Sequence, residues 1–280
     1  MKKLLTIIAV TGLISGFAFA DSNVVSSANI VGYVQSATPP AGVFKIVALT
    51  QFSDGTTNNT VSIQDVIGNL SDLNADVAGS SAAGADKLHV YTGIGYSSYA
   101  LFQPAAGDPY WLSTSDAEWF IPGYESTPPS TDTFSRGAAV WYATAAGGAS
   151  TNMISSGDVY LDDTFSVTVP GGYSLLAYPY SSDITLDTLV ISNATADVAG
   201  SSAASADKLH IYTGIGYESY ALFQPATGDP YWLSTAAAEW FIPGYESTPP
   251  STNTIGLGTG FWFETATGKT IGFEKIYTIN

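Results

Sequence analysis

Short runs in which apolar and polar residues alternate, each closed by glycine, proline or asparagine, recur along the chain, and this period of two predicts strands. Ala28 to Gln35 reads as a first strand stopped by Thr38-Pro39-Pro40, and Phe44 to Leu49 as a second. Lys87-Leu88-His89-Val90-Tyr91 alternates, meets Thr92-Gly93-Ile94-Gly95 and resumes over Tyr96 to Phe102, the signature of a β-hairpin. Tyr110-Trp111-Leu112, Glu118 to Ile121, Ala138 to Tyr142 and Val159-Tyr160-Leu161 are further expected strands, and Glu125 to Ser130 holds too many prolines for a central strand and is expected to run as an exposed extended loop. Ser62-Ile63-Gln64-Asp65 has the spacing of an N-cap with an acid three residues on, so one short helix is predicted within Val61 to Leu70, with Leu186 to Ile191 as its weaker counterpart. The predicted fold is all-β, of antiparallel sandwich or barrel type.

The pattern occurs twice. Asp76 to Thr131 returns 121 residues later as Asp197 to Thr252 with six of its 56 positions changed, and Trp141-Tyr142 falls opposite Trp262-Phe263 at the same offset. A long period is read before any local motif. It predicts two tandem homologous domains, residues 21–158 and 159–280, each with at most one short helix.

The amino end carries a different signal. Met1-Lys2-Lys3, the apolar stretch Leu4 to Ile14 and Ala18-Phe19-Ala20 have the order of a secretory signal peptide, so residues 1–20 are expected to be removed. The rest of the chain holds 6 basic and 24 acidic residues, a net charge of −18, which argues against nucleic acid and anionic lipid as partners. With no cysteine, stability has to come from packing. A chain of this length divides into two units large enough for independent cores.

Candidate chemistry is sparse. His89 and His210 are equivalent and each stands alone on its strand, which does not make a metal site. There is no Gly-x-Ser-x-Gly elbow for a serine nucleophile. Asp116 and Glu118 are a carboxylate pair in the first repeat, but Ala237 replaces Asp116 in the second. No catalytic residue, cofactor or metal is therefore assigned. Calcium is a secondary candidate at Asp54-Gly55 with Asn58, or at Asp162-Asp163. Tyr110, Trp111, Trp119 and Tyr124, with Tyr231, Trp232, Trp240 and Tyr245, supply flat rings of the kind that stack on sugars, and two copies would add avidity for a polysaccharide.

The order of Val31-Gly32-Tyr33, Pro40-Ala41-Gly42, Phe44 to Leu49, the capped segment Ser62 to Leu70, Tyr91 to Tyr96 and Gly258-Thr259-Gly260-Phe261-Trp262-Phe263 resembles exported, repeat-containing bacterial β proteins. The resemblance implies a β fold and a surface address, and no catalytic residue. The first repeat departs from it at Gly137-Ala138-Ala139-Val140-Trp141-Tyr142. The expected role is a secreted, non-enzymatic extracellular or cell-surface structural protein. It would self-assemble as a filament or lattice, with Ile30, Val31, Tyr33 and Val34 adding a strand to a neighbouring copy. The alternative is a carbohydrate-binding or adhesion module that uses the duplicated aromatic residues.

Overall fold

The computed structural model describes residues 31–49, 60–104, 116–125, 129–148, 152–225, 237–245 and 252–276. The first repeat comprises β1 (Val31–Ala37), β2 (Phe44–Ala48), β3 (Thr60–Ser62), β4 (Asp76–Val77), β5 (Lys87–Tyr91), β6 (Tyr96–Gln103), β7 (Glu118–Phe120), β8 (Thr133–Ser135), β9 (Ala139–Ala143) and β10 (Asn152–Asp158). The second comprises β11 (Thr164–Val169), β12 (Gly172–Ala177), β13 (Ile184–Thr185), β14 (Ile191–Ser192), β15 (Asp197–Val198), β16 (Lys208–Tyr212), β17 (Tyr217–Gln224), β18 (Glu239–Phe241), β19 (Thr254–Ile255), β20 (Gly260–Thr265) and β21 (Lys269–Glu274). The fold is all-β, as the alternation predicts. Among the described residues all pairings are antiparallel except two short parallel ones, β4 with β6 and β15 with β17.

Each repeat is built around one sheet, β2-β9-β5-β6-β4 with β7 on β6, and β12-β20-β16-β17-β15 with β18 on β17. One face is the core. In the first repeat Val47, Val140, Tyr142, Leu88, Tyr99, Leu101 and Trp119 turn inward and meet Leu49, Val61, Ile63, Val66, Ile67, Phe134 and Met153. A second sheet or ribbon lies beside each main sheet: β1-β10 with β3-β8, and β11-β21-β14 with β13-β19.

The predicted helix at Val61 to Leu70 does not form. The Ser62 hydroxyl accepts the Gln64 N–H at 3.2 Å and the Ser62 carbonyl accepts that of Asp65 at 3.0 Å, so the capping residue closes a turn after β3. Only a 3-10 turn, Leu70–Asp72, follows. Leu186 to Val190 likewise forms no helix: a turn follows β13, and Ile191 opens β14. No strand forms at Val159-Tyr160-Leu161 either. The Tyr160 ring meets Phe165 edge-on at 5.3 Å and lies beneath the Arg136 guanidinium at 5.2 Å, so it anchors a crossover between β10 and β11. The expected strand over Tyr110-Trp111-Leu112 lies outside the described residues.

Residues from Val31 onward make one compact unit, and the two repeats meet through reciprocal contacts. Ala48 N–H donates to the Gly258 carbonyl at 2.9 Å, and the equivalent Ala177 N–H donates to the Gly137 carbonyl at 2.8 Å. Val47 bridges Thr259, and Leu176 bridges Ala138. Such exchange is the mark of a two-fold relation. Beneath it Ile46, Ala48, Ala139, Leu175 and Ala177 form a small core shared by both repeats. Gly260 sits where a β-carbon would run into Ala139 and Ile46. Gly260→Val is therefore expected to force the repeats apart and cost about 1 to 3 kcal/mol, read as a lower urea midpoint. An unchanged midpoint would show that this contact does not contribute to stability.

Candidate functional site

The face of each main sheet opposite its main core carries the side chains that the main core does not use. Pairing aligns them in rows, because directly opposed residues in an antiparallel ladder point the same way. In the first repeat Ile46, Trp141, His89 and Ser98 form one row, and Phe44, Ala143, Lys87 and Ala100 the next. In the second repeat the corresponding rows are Leu175, Trp262, His210, Ser219 and Tyr173, Glu264, Lys208, Ala221.

Phe44, Trp141, His89 and Ser98 of the first set, and Tyr173, Trp262, His210 and Ser219 of the second, floor two equivalent clefts, with Lys87 and Lys208 in the row beside them. The first, of about 510 Å³, is lined by Phe44, His89, Tyr96, Ser98, Trp141 and, from the other repeat, Tyr212. The second, of about 440 Å³, is lined by Tyr173, His210, Tyr217, Ser219, Trp262 and, reciprocally, Tyr91. Each position in one cleft has its repeat-equivalent in the other. The exchanged tyrosines hold the walls: Tyr91 meets Trp262 edge-on at 4.8 Å and Tyr212 meets Trp141 at 5.0 Å. Such pairs contribute about 0.5 to 1.5 kcal/mol beyond the area they bury. The indole N–H of Trp262 donates to the Tyr217 hydroxyl at 3.2 Å, and Trp141 bonds Tyr96 in the same way. Half-exposed Phe44, Tyr96, Tyr173 and Tyr217 leave apolar ring faces open to solvent.

The polar groups at the floor and in the row beside it differ between the two. In the second cleft Nε2 of His210 lies 2.9 Å from Glu264 Oε2, and Nδ1 lies 2.7 Å from Ser219 Oγ. Since a carboxylate only accepts, Nε2 carries a hydrogen and a neutral ring takes its other bond from the serine hydroxyl. Lys208 Nζ meets Glu264 Oε1 at 3.2 Å. Burial would push the Glu264 carboxyl up, but the hydrogen bonds from His210 and Lys208 outweigh it and hold the group below its ordinary value. In the first cleft Ser98 keeps its 2.7 Å contact with His89 Nδ1, while Ala143 stands where the second repeat has Glu264. His89 Nε2 is buried without a partner. Burial first, and then the charge of Lys87, lower the His89 pKa below its ordinary value.

A histidine with a depressed folded pKa binds fewer protons folded than unfolded, so its neutral state favours folding above the unfolded value near 6.5, and that contribution is lost as pH falls toward the folded pKa. Wild-type protein is thus expected to lose more thermal stability between pH 7.5 and pH 5 than His89→Gln does. Parallel profiles would show that His89 titrates as it does in the unfolded chain.

The residues singled out in the sequence fall elsewhere. Trp119 and Trp240 are fully buried, because they sit on strands whose neighbourhood is covered on both faces, and they offer no ring to a ligand. Tyr124 and Tyr245 are each 61% exposed on turns and line neither cleft. Tyr110, Trp111, Tyr231 and Trp232 lie outside the described residues, as does Ile30. Val31 pairs with Asp158 at the start of β1; Tyr33 is 70% exposed, and Val34 is buried against the Gly258 turn. Asp54 and Asn58 are also outside the description, and Asp163 is paired with Lys275 at 3.1 Å. Among the described residues no group of three or more acidic or imidazole side chains converges, and no helix is long and apolar enough to cross a membrane. Burial and the neighbouring Asp116 raise the Glu118 pKa.

Most of the cleft residues share one sequence signal: the pairs His89 and His210, Ser98 and Ser219, and Trp141 and Trp262 all recur at the repeat offset, whereas Phe44 and Tyr173 do not. No protein-family model matches the chain, and a search of curated proteins finds no match.

Proposed function

We propose that the protein is an exported, non-enzymatic carbohydrate-binding or adhesion module whose ligand enters the two aromatic clefts. The observation that carries this reading is the duplication of the cleft itself, with aromatic rings at the same positions, the same Ser–His pair and a tyrosine exchanged between repeats. Open aromatic walls over a floor of a few hydrogen-bonding groups suit a sugar ring, which has an apolar face and a hydroxyl rim. The first cleft keeps the serine and imidazole without the carboxylate, which favours binding over hydrolysis as the role common to both.

The test is retention on crystalline cellulose, chitin and calcium pectate gel. Phe44→Ala with Tyr173→Ala removes one exposed wall from each cleft without touching the contact between repeats. Retention on the polysaccharide that holds the wild type should fall on the order of tenfold per ring, the equivalent of about 1.4 kcal/mol. Equal retention of the double variant would rule the clefts out.

Self-assembly is the second reading, favoured by one feature: β1 pairs only with β10 among the described strands and carries the exposed Tyr33 on an open edge. Negative-stain electron microscopy of residues 21–280 separates it, since ordered filaments support assembly and discrete particles refute it.

A further inference from the structure

The second repeat records what fits the floor of the cleft. Its Glu264 carboxylate lies opposite Lys208 in the ladder and reaches Lys208 Nζ with one oxygen and His210 Nε2 with the other. Tyr173, paired with Glu264 on the other side, also bonds it. The first repeat retains the two donors, Lys87 and His89, on the same register, but replaces the acid by Ala143 and the tyrosine by Phe44. Consequently Lys87 makes no hydrogen bond or ion pair within the described residues, His89 Nε2 has no partner, and the cleft is the larger of the two. We infer that the first cleft is completed by a carboxylate on the ligand, which takes between Lys87 and His89 the place that Glu264 takes between Lys208 and His210.

Resting on the glycan reading above, this names the ligand class as an acidic sugar, a uronic acid or its oligomers. The aromatic walls take the ring and the Lys–His pair takes the acid. An ammonium and an imidazole N–H together suit an anion better than a neutral hydroxyl, because each charge-assisted bond is roughly twice as strong as a neutral one. Access runs past Phe44, whose ring packs on the imidazole at 5.6 Å and is 46% exposed. It has no hydroxyl to anchor it, and it turns outward onto the sugar as the acid enters. The second cleft, by contrast, already holds its own carboxylate. Its donors are spent, and it repels a second acid. The two clefts are therefore unequal: the first takes an acidic residue of the ligand and the second only a neutral one, so one acidic sugar binds per chain.

Exchanging the two floors tests this. Isothermal titration with tetragalacturonate, and with cellotetraose as the neutral control, would be run on wild type, Lys87→Ala, Ala143→Glu and Glu264→Ala, with circular dichroism confirming the fold of each. Wild type is expected to take one tetragalacturonate and to prefer it to cellotetraose by at least tenfold. Lys87→Ala and Ala143→Glu should each weaken it by tenfold or more. Glu264→Ala should free Lys208 and His210 and raise the stoichiometry from one to two, a gain that misfolding cannot imitate. Equal binding of the two oligosaccharides, or two equivalents on the wild type with Ala143→Glu unaffected, would overturn the inference and leave the clefts as neutral-sugar sites. Binding of neither oligosaccharide by any variant would overturn the glycan reading and the inference with it.

Discussion

Replacing Lys269 by methionine is expected to destabilise the protein by about 3 to 5 kcal/mol, the usual cost of stranding one partner of a buried ion pair. Asp207 is 1% exposed, and Lys269 Nζ lies 2.6 Å from its Oδ2, which also accepts the Thr195 N–H at 2.8 Å. The remaining oxygen, Oδ1, is buried with no hydrogen bond, so nothing else replaces the lysine. The first repeat solves the same problem differently. Asp86, fully buried at the equivalent position, accepts from Asn74 N and Nδ2 at 3.0 Å each, from the Tyr142 hydroxyl at 2.5 Å and from Ala145 N at 2.7 Å. Where the second repeat has Lys269 the first has Gly148, and a β-carbon there would strike Asn74. Where the first has Tyr142 the second has Phe263. Hence Lys269→Met combined with Phe263→Tyr should recover part of the loss by giving Asp207 the hydroxyl that Asp86 uses. Urea unfolding of the wild type and the two variants decides it. A loss below about 1 kcal/mol for Lys269→Met, against the usual cost of an uncompensated buried charge, would show that the Lys269–Asp207 pair does not hold this part of the core together.

The strands are legible in the sequence because their signal is local. Alternation from Lys87 to Tyr91, the Gly93 turn and alternation from Tyr96 are contained in sixteen residues, and the hairpin forms as expected. The helix expected at Val61 to Leu70 fails because long-range bonds decide that segment. The Gln64 side chain donates to the carbonyls of Trp119 and Ser130 and accepts the Trp119 N–H, partners 55 and 66 residues away. Nothing in the local sequence announces them. The clefts are invisible in the sequence for a related reason. His89 and Trp141 are neighbours only because β5 pairs with β9, and Tyr212 joins them only across the two-fold contact. Sequence alternation says that a residue turns away from the core, but not which strand lies beside it. It also fails at β7, where Trp119 and Phe120 point to opposite faces and both are buried, Trp119 in the main core and Phe120 in a small cluster with Ala82, Ala85, Ala100 and Phe102.

That double burial makes the tryptophans of β7 and β18 a test of core against surface. Trp119→Ala and Trp240→Ala should each cost about 3 to 5 kcal/mol, since a fully enclosed indole leaves a cavity that its neighbours fill only in part. Any loss of sugar retention should follow the loss of folded protein. The two sites then differ in a way that phenylalanine exposes. Trp240 Nε1 donates to the Leu189 carbonyl at 3.3 Å, whereas Trp119 Nε1 is buried with no acceptor. Trp240→Phe breaks a bond and leaves a buried carbonyl wanting a donor, while Trp119→Phe removes a donor that was already unsatisfied. The first change is therefore expected to cost more than the second by about 1 to 3 kcal/mol, the penalty for a buried polar group left unpaired. Denaturation midpoints of the four variants measure both effects. If Trp119→Ala kept its midpoint and lost only its grip on a polysaccharide, the ring would belong to a binding surface. The core placement would then be wrong.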